Sequence, residues 1–290
     1  MMDREPAGDL VPGQLTIRMR KLVNIKSGFL PTLVLAVLAA AMSTAAFAET
    51  VLITGSNSGI GLDFAKRYAA RGWLVIATHR RDTIPDTLKE LSAKYDNVRV
   101  EQMDVTRFDE IDALAAKLQD VPIDVLINNA AILSAGSLED PETFTRQIIG
   151  TIDYSLFDPY MHTNALGPLK ITETFLPHLR ASERKTVVAI SSDGGTISVW
   201  DERPGFYFYA ASKIAMNMFM KRSAWDLKKD GIKVVMFHPG FVRTEKTRDL
   251  QFEGMIELDE SVPGMMKVID NLTMEDTGKF FKHTGEIQPW

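Results

Sequence analysis

From Thr50 onward, short runs of consecutive apolar residues alternate with longer stretches whose apolar positions recur every three or four residues. Thr50–Thr54, Leu74–Thr78, Val98–Met103, Asp124–Asn128, Thr186–Ser191 and Ile232–His238 are of the first kind. Short, β-branched and apolar on both sides, they predict strands of a parallel sheet covered on both faces. The intervening stretches predict helices over Ile60–Arg71, Ile84–Lys94, Phe108–Gln119, Pro159–Ala181 and Tyr209–Asp230. Gly72 and Gly231 stop two of them, and Pro239-Gly240 breaks the last strand. There is no repeat, low-complexity tract or linker, so the pattern predicts a single α/β domain over 49–290 with a doubly wound parallel sheet. Residues 245–262 have mixed polarity and read as a mobile lid over a substrate.

The first 48 residues do not belong to that alternation. Arg18, Arg20, Lys21 and Lys26 precede an uncharged stretch from Ser27 to Ala48 that ends in Ala46-Phe47-Ala48. A basic region, an apolar region and an A-x-A site together predict a secretory signal peptide cleaved after Ala48, hence an exported protein. A start at Met19 would give the signal a more ordinary length. The alternatives are an uncleaved membrane anchor, since about 20 uncharged residues just span a bilayer, or retention in the cytoplasm. No twin-arginine pair is present to direct export of a prefolded, cofactor-loaded chain.

Composition narrows the chemistry. The chain has 290 residues, 45% of them hydrophobic, enough to bury a sizeable core without staples. A net charge of −5 supplies no basic footprint for nucleic acid. The absence of cysteine removes disulfides, thiol catalysis and thiolate metal sites. His162, His178, His238 and His283 fall at no metal-ligand spacing, so no metal is expected.

Thr54-Gly55-Ser56-Asn57-Ser58-Gly59-Ile60-Gly61 joins the first predicted strand to the first predicted helix. In such a turn the helix N-terminus aims backbone N–H groups at an anion. Gly55 permits the tight turn, Gly59 the close approach of a pyrophosphate, and Gly61 close packing of helix on strand. The second predicted strand ends in Ala77-Thr78-His79-Arg80-Arg81. An acidic residue there would bond a ribose 2′-hydroxyl, whereas an arginine accommodates a 2′-phosphate. Arg80 therefore points to NADP(H) rather than NAD(H), its guanidinium fork matching phosphate.

About 150 residues further on, Tyr209-Ala210-Ala211-Ser212-Lys213 sets a phenol and an ammonium one helical turn apart. A free tyrosine, with a pKa of about 10, is a poor acid near neutrality, and a nearby cation favours its phenolate. In this order and at this distance, the glycine turn and the Tyr-x-x-x-Lys pair resemble the short-chain dehydrogenase/reductase family, whose fold is of the Rossmann type. The resemblance implies that Thr54, Gly55, Ser58, Gly59, Ile60 and Gly61 hold the dinucleotide, with Asp104-Val105 at its adenine. Asn128-Asn129-Ala130-Ala131 is similar to the family's N-N-A-G beneath the cofactor, with Ala131 in place of the last glycine. Pro239, Gly240, Val242 and Thr244, in a P-G-x-V-x-T match, are implied at the nicotinamide. Tyr209 is implied as acid/base, and Lys213 as the residue that lowers its pKa and grips the ribose. Ser192 is implied to polarise the substrate carbonyl, and Asn164 to hold a water in the relay to Lys213.

Ser192 and Tyr209 stand 17 residues apart, further than is usual in the family, and the insert carries Trp200, Phe206, Tyr207 and Phe208. A longer loop still returns its ends to one place at little entropic cost; Tyr207 is the rival to Tyr209. With Phe241, these aromatics suggest a bulky apolar carbonyl substrate. The tail motifs Ser261-Val262-Pro263-Gly264-Met265, Thr277-Gly278-Lys279-Phe280-Phe281, Gly285-Glu286 and Pro289-Trp290 resemble the branch containing C-factor-like and sniffer-like carbonyl reductases. The implied activity is an NADP(H)-dependent oxidoreductase interconverting a carbonyl compound and an alcohol. Its rivals are a non-catalytic nucleotide sensor or signalling protein on the same fold, and an epimerase or dehydratase that retains its cofactor. The apolar faces of the two longest predicted helices offer surfaces for a homo-oligomer.

Overall fold

The computed structural model describes residues 48–134, 148–198, 205–248 and 253–290. The signal peptide expectation, on residues 1–48, and most of the insert around Trp200 lie outside them. Seven parallel strands form one sheet in the order β3-β2-β1-β4-β5-β6-β9. They are β1 (Thr50–Ile53), β2 (Leu74–His79), β3 (Val98–Gln102), β4 (Val125–Asn128), β5 (Thr186–Ile190), β6 (Lys233–His238) and β9 (Phe280–Lys282). The strand order reverses between β1 and β4, which opens a crevice beyond their carboxyl ends.

The alternation of side chains along each strand builds two cores. Val51 and Ile53 of β1 face one layer, made by α1 (Gly59–Ala70), α2 (Asp86–Lys94) and α8 (Leu258–Asp270). Leu52 faces the other, made by α3 (Phe108–Lys117), α5 (Gly167–Thr174), α6 (Leu176–Ala181) and α7 (Tyr207–Leu227). All three of these β1 residues are fully buried, the condition that produces continuous apolar runs.

The predicted helix over Pro159–Ala181 is broken into pieces. It comprises α4 (Phe157–Met161), a π-helical turn (His162–Leu166), α5 and α6. Pro177 cannot donate to the preceding turn, and the chain leaves helical geometry at Phe175 (φ −88°, ψ 10°). The lid expected over 245–262 is also corrected in its second half. Met255–Ile256 (β8) pairs in parallel with Phe241–Val242 (β7), and α8 starts at Leu258. Val262, Met265 and Met266 of that helix are fully buried. Burial of this face outweighs the break that Pro263 would otherwise make. Residues 249–252 are outside the described segments.

Candidate active site

The reversal point is lined on one side by the loop after β1 and on the other by the loop after β4. Thr54 joins them: its Oγ1 accepts from the backbone N–H groups of Asn129 and Ala130, both at 2.9 Å. Asn129 Nδ2 in turn donates to the carbonyls of Thr54 (2.9 Å) and Gly55 (3.2 Å). Gly61 presses against this knot. A Cβ there would collide with Asn129 Nδ2 and stand 2.5 Å from the Gly55 carbonyl oxygen. Gly59, the first residue of α1, has φ +54°, a conformation costly for any side chain. The helix begins with its N–H groups turned to the crevice and no acidic residue in its first turn. The result is an anion seat made of backbone.

A groove of about 640 Å³ extends from this seat. Gly55, Ser58, Gly59, Ile60, Arg80, Asp104, Val105, Ala130 and Thr244 line it, as the sequence reading anticipated for cofactor contacts. The exposed Arg80 and Arg81 stand in its wall beside the buried His79. Backbone glycines at an anion seat, with two guanidinium groups further along, fit a dinucleotide bearing an extra phosphate. Thr54 and Gly61 stand behind the wall as struts. Asn128 is buried and donates through Nδ2 to Thr172 Oγ1 at 3.2 Å, while Asn129, Ala131 and Ile132 line the groove. Pro239, Gly240 and Val242 are likewise outside the groove wall. The Pro239 carbonyl accepts from Ser261 Oγ at 2.6 Å, and Val242 is buried. Several lining residues went unremarked in the sequence: Asn57, Pro85, Asp86, Thr87, Met103 and Thr163. Asp86 and Thr87 reach the groove from the first turn of α2, Thr163 from the π-helical turn, and the others from loops.

Four residues from three elements meet near the ends of β4 and β5. Lys213, on α7, is 3% exposed and donates from Nζ to the Ile190 carbonyl at 2.8 Å. Burial lowers its pKa to about 7. Its Nζ lies 5.9 Å from the centroid of the Tyr209 ring, as the i, i+4 spacing requires. Ser192, two residues beyond β5, donates from Oγ to Asp193 Oδ1 at 2.9 Å and accepts from the Gly194 N–H at 3.1 Å. Gly194 separates Ser192 from Tyr209: a Cβ built on it would lie 3.5 Å from both Ser192 Oγ and Tyr209 Cε1.

Asn164 is fully buried in the π-helical turn. Such turns recur at functional sites because the extra residue re-aims side chains. Its Oδ1 accepts from the Ile132 N–H at 2.9 Å, and its Nδ2 donates to the Ile132 carbonyl and to Ser212 Oγ, both at 3.0 Å. Ser212 Oγ closes the chain by donating to the Tyr209 carbonyl at 2.7 Å. Asn164 thereby ties the loop after β4 to the helix that carries Tyr209 and Lys213.

Aromatic side chains gather at the start of α7, around Tyr209. Phe208 packs on Tyr154 and Phe157 at centroid distances of 6.0 and 5.5 Å, and Phe206 stands edge-on to Tyr209 at 6.4 Å. Phe206 holds φ +57° immediately before α7. A non-glycine residue in this region is strained, a feature that clusters at working sites. Tyr207 is exposed, at 44% of its surface.

This fold and this crevice define a dinucleotide-binding α/β protein. The chain belongs to the short chain dehydrogenase family, whose model matches residues 49–253. Among solved structures it resembles the NADPH-bound carbonyl reductase from chicken fatty liver, at 29% identity and TM-score 0.73, covering 84% of this chain and 99% of that one. The carbonyl reductase Sniffer of D. melanogaster matches at 26% identity and TM-score 0.72, covering 84% and 100% respectively. The C-signal protein of Myxococcus xanthus is 33% identical over 178 residues, 61% of this chain and 99% of the relative.

Proposed function

We propose that this chain is an NADP(H)-dependent oxidoreductase that interconverts a carbonyl compound and an alcohol, with Tyr209, Lys213, Ser192 and Asn164 as its working set. The observation that carries the reading is the convergence of Lys213, Tyr209 and Ser192 near the ends of two adjacent strands, in a protein that also has a dinucleotide groove. The solved NADPH-bound carbonyl reductase of the same fold supports the cofactor. The groove residues that would hold it are Gly55, Ser58, Gly59 and Thr244, with Arg80 at the 2′-phosphate.

Bound NADP(H) supplies or accepts the hydride; the proton is this chain's task. In the reducing direction the Tyr209 hydroxyl donates to the carbonyl oxygen, which the Ser192 hydroxyl holds by a second hydrogen bond. Lys213 stands beside the ring, so its charged form favours the phenolate left behind. Asn164, whose side-chain amide bonds Ile132 and Ser212, is the residue that the family resemblance assigns to hold a relay water toward Lys213. The aromatic side chains around Tyr209 favour apolar carbonyl compounds. Export through the first 48 residues is part of the same proposal, to be checked by N-terminal sequencing of the mature protein.

The test begins with fluorescence titrations of protein starting at Glu49 with NADPH and NADH. NADPH binds more tightly, and Arg80→Asp weakens NADPH about tenfold or more, the scale of a lost charge-assisted contact. Tyr209→Phe still binds NADPH but loses at least about a hundredfold in turnover of aromatic and aliphatic ketones or aldehydes. Binding of neither nucleotide, or full turnover by Tyr209→Phe, overturns the reading. NADPH binding without turnover of any carbonyl compound supports the nucleotide sensor instead.

A further inference from the structure

The anion seat at the start of α1 already has an occupant from this chain. Glu245, 186 residues away, accepts the Gly59 N–H through Oε2 at 3.1 Å. No acidic residue lies in the first turn of α1, and the Ser58 side chain makes no cap. The carboxylate thus takes the place that a helix N-terminus offers to negative charge. Gly59 also lines the groove, at the position where the glycine motif leads one to expect a pyrophosphate. Two anions cannot share one N–H and one helix end without strong repulsion.

Glu245 rides on a turn that is braced at its root and free at its tip. Thr247 Oγ1 donates to the Val242 carbonyl at 2.7 Å and accepts from the Thr244 N–H at 2.8 Å. Arg243 fixes the same root to β8: its N–H donates to the Ile256 carbonyl at 2.8 Å, and its Nε to Glu257 Oε1 at 3.1 Å. Glu245 itself is exposed and leans across to α1. Breaking the Glu245–Gly59 bond releases the carboxylate and leaves the root of the turn in place. Lys246, the next residue along, also lines the groove.

We propose that Glu245 is a competitor built into the cofactor groove, a carboxylate strap that mimics a phosphate on the Gly59 N–H and must swing away before a dinucleotide binds. The inference rests on the dinucleotide reading above. The strap weakens cofactor binding and favours release, and it stabilises the cofactor-free protein by capping α1. Because it meets the pyrophosphate, its effect is the same for both nicotinamide dinucleotides, unlike that of Arg80.

The test compares wild type with Glu245→Gln and Glu245→Ala, using NADPH and NADH as probes and thermal melting without nucleotide as a readout independent of activity. Both variants are expected to bind each nucleotide at least about fivefold more tightly, the scale of one charge at a helix end. Glu245→Ala is expected to melt lower than wild type without nucleotide. Affinities unchanged or weakened in both variants overturn the strap and leave the dinucleotide reading standing. A gain confined to NADPH also overturns it, since it would place Glu245 at the 2′-phosphate. No binding by wild type or either variant overturns both.

Discussion

Lys213 is a charged residue held where a charge is hard to keep. Its Nζ is buried with the Ile190 carbonyl as acceptor, and burial lowers its pKa to about 7 from the usual 10.5. Between about pH 7 and 10.5 the unfolded chain carries a proton at this position that the folded chain does not. The contribution of Lys213 to the stability of the cofactor-free protein therefore rises with pH across that window, and is least below it, where the fold must bury the ammonium. Lys213→Met is expected to flatten this slope and raise the melting temperature at pH 7 by a few degrees, while abolishing carbonyl turnover. Melting curves from pH 6 to 10 on both proteins check it; a variant that melts lower than wild type throughout contradicts the argument. The position of Lys213 was legible from its spacing to Tyr209. Its isolation was not, because a sequence spacing says nothing about which carbonyl lies across the helix.

Elements show where local pattern and tertiary contact part. The glycine turn was read correctly as a strand-to-helix junction, and the structure adds the reason Gly61 cannot vary. A methyl group there meets the Asn129 amide and the Gly55 carbonyl, from two loops whose contacting residues are 74 positions apart in the chain. Gly61→Ala is expected to lower stability by about 1–3 kcal/mol, the usual cost of overpacking, and to weaken NADPH binding by shifting the turn; denaturant unfolding and the same titration measure the two effects. The opposite case is Pro263-Gly264. By local pattern it is a breaker, yet it sits inside α8. Gly264 is there because a Cβ would stand 2.5 Å from the His283 carbonyl oxygen beyond β9. The glycine serves close packing, a role that sequence cannot distinguish from a turn.

At the scale of the whole molecule, the tail closes on the loop after β5. The Gln288 N–H donates to the Phe280 carbonyl at 2.8 Å, extending the edge of β9. Thr196 Oγ1 donates to the Pro289 carbonyl and the Ser198 N–H to the Trp290 carbonyl, both at 2.9 Å. Lys221 of α7 places Nζ 4.0 Å from the Trp290 ring centroid. The last residues thus brace the loop that follows Ser192 against the helix that carries Tyr209. Removing Gln288–Trp290 is expected to lower the melting temperature by a few degrees and kcat several-fold, with NADPH affinity within about twofold of wild type, because none of these three residues lines the groove. Equal kcat in the truncated protein would falsify this bracing role.

The alternation of buried strands and amphipathic helices, together with two short motifs, was enough to determine the layer architecture, the end of the sheet that binds and the Tyr209–Lys213 pair. These depend on local periodicity and on residues a few positions apart, which the chain carries on its face. Only the tertiary structure decided that Asn128 turns away from the groove to Thr172, and that Asn164 is committed to Ile132 and Ser212. It likewise placed β9 at the sheet edge, and set Glu245 on the first amide of α1. Each of these is a contact between segments dozens to nearly two hundred residues apart, fixed by how the layers pack and carrying no pattern in the sequence around it.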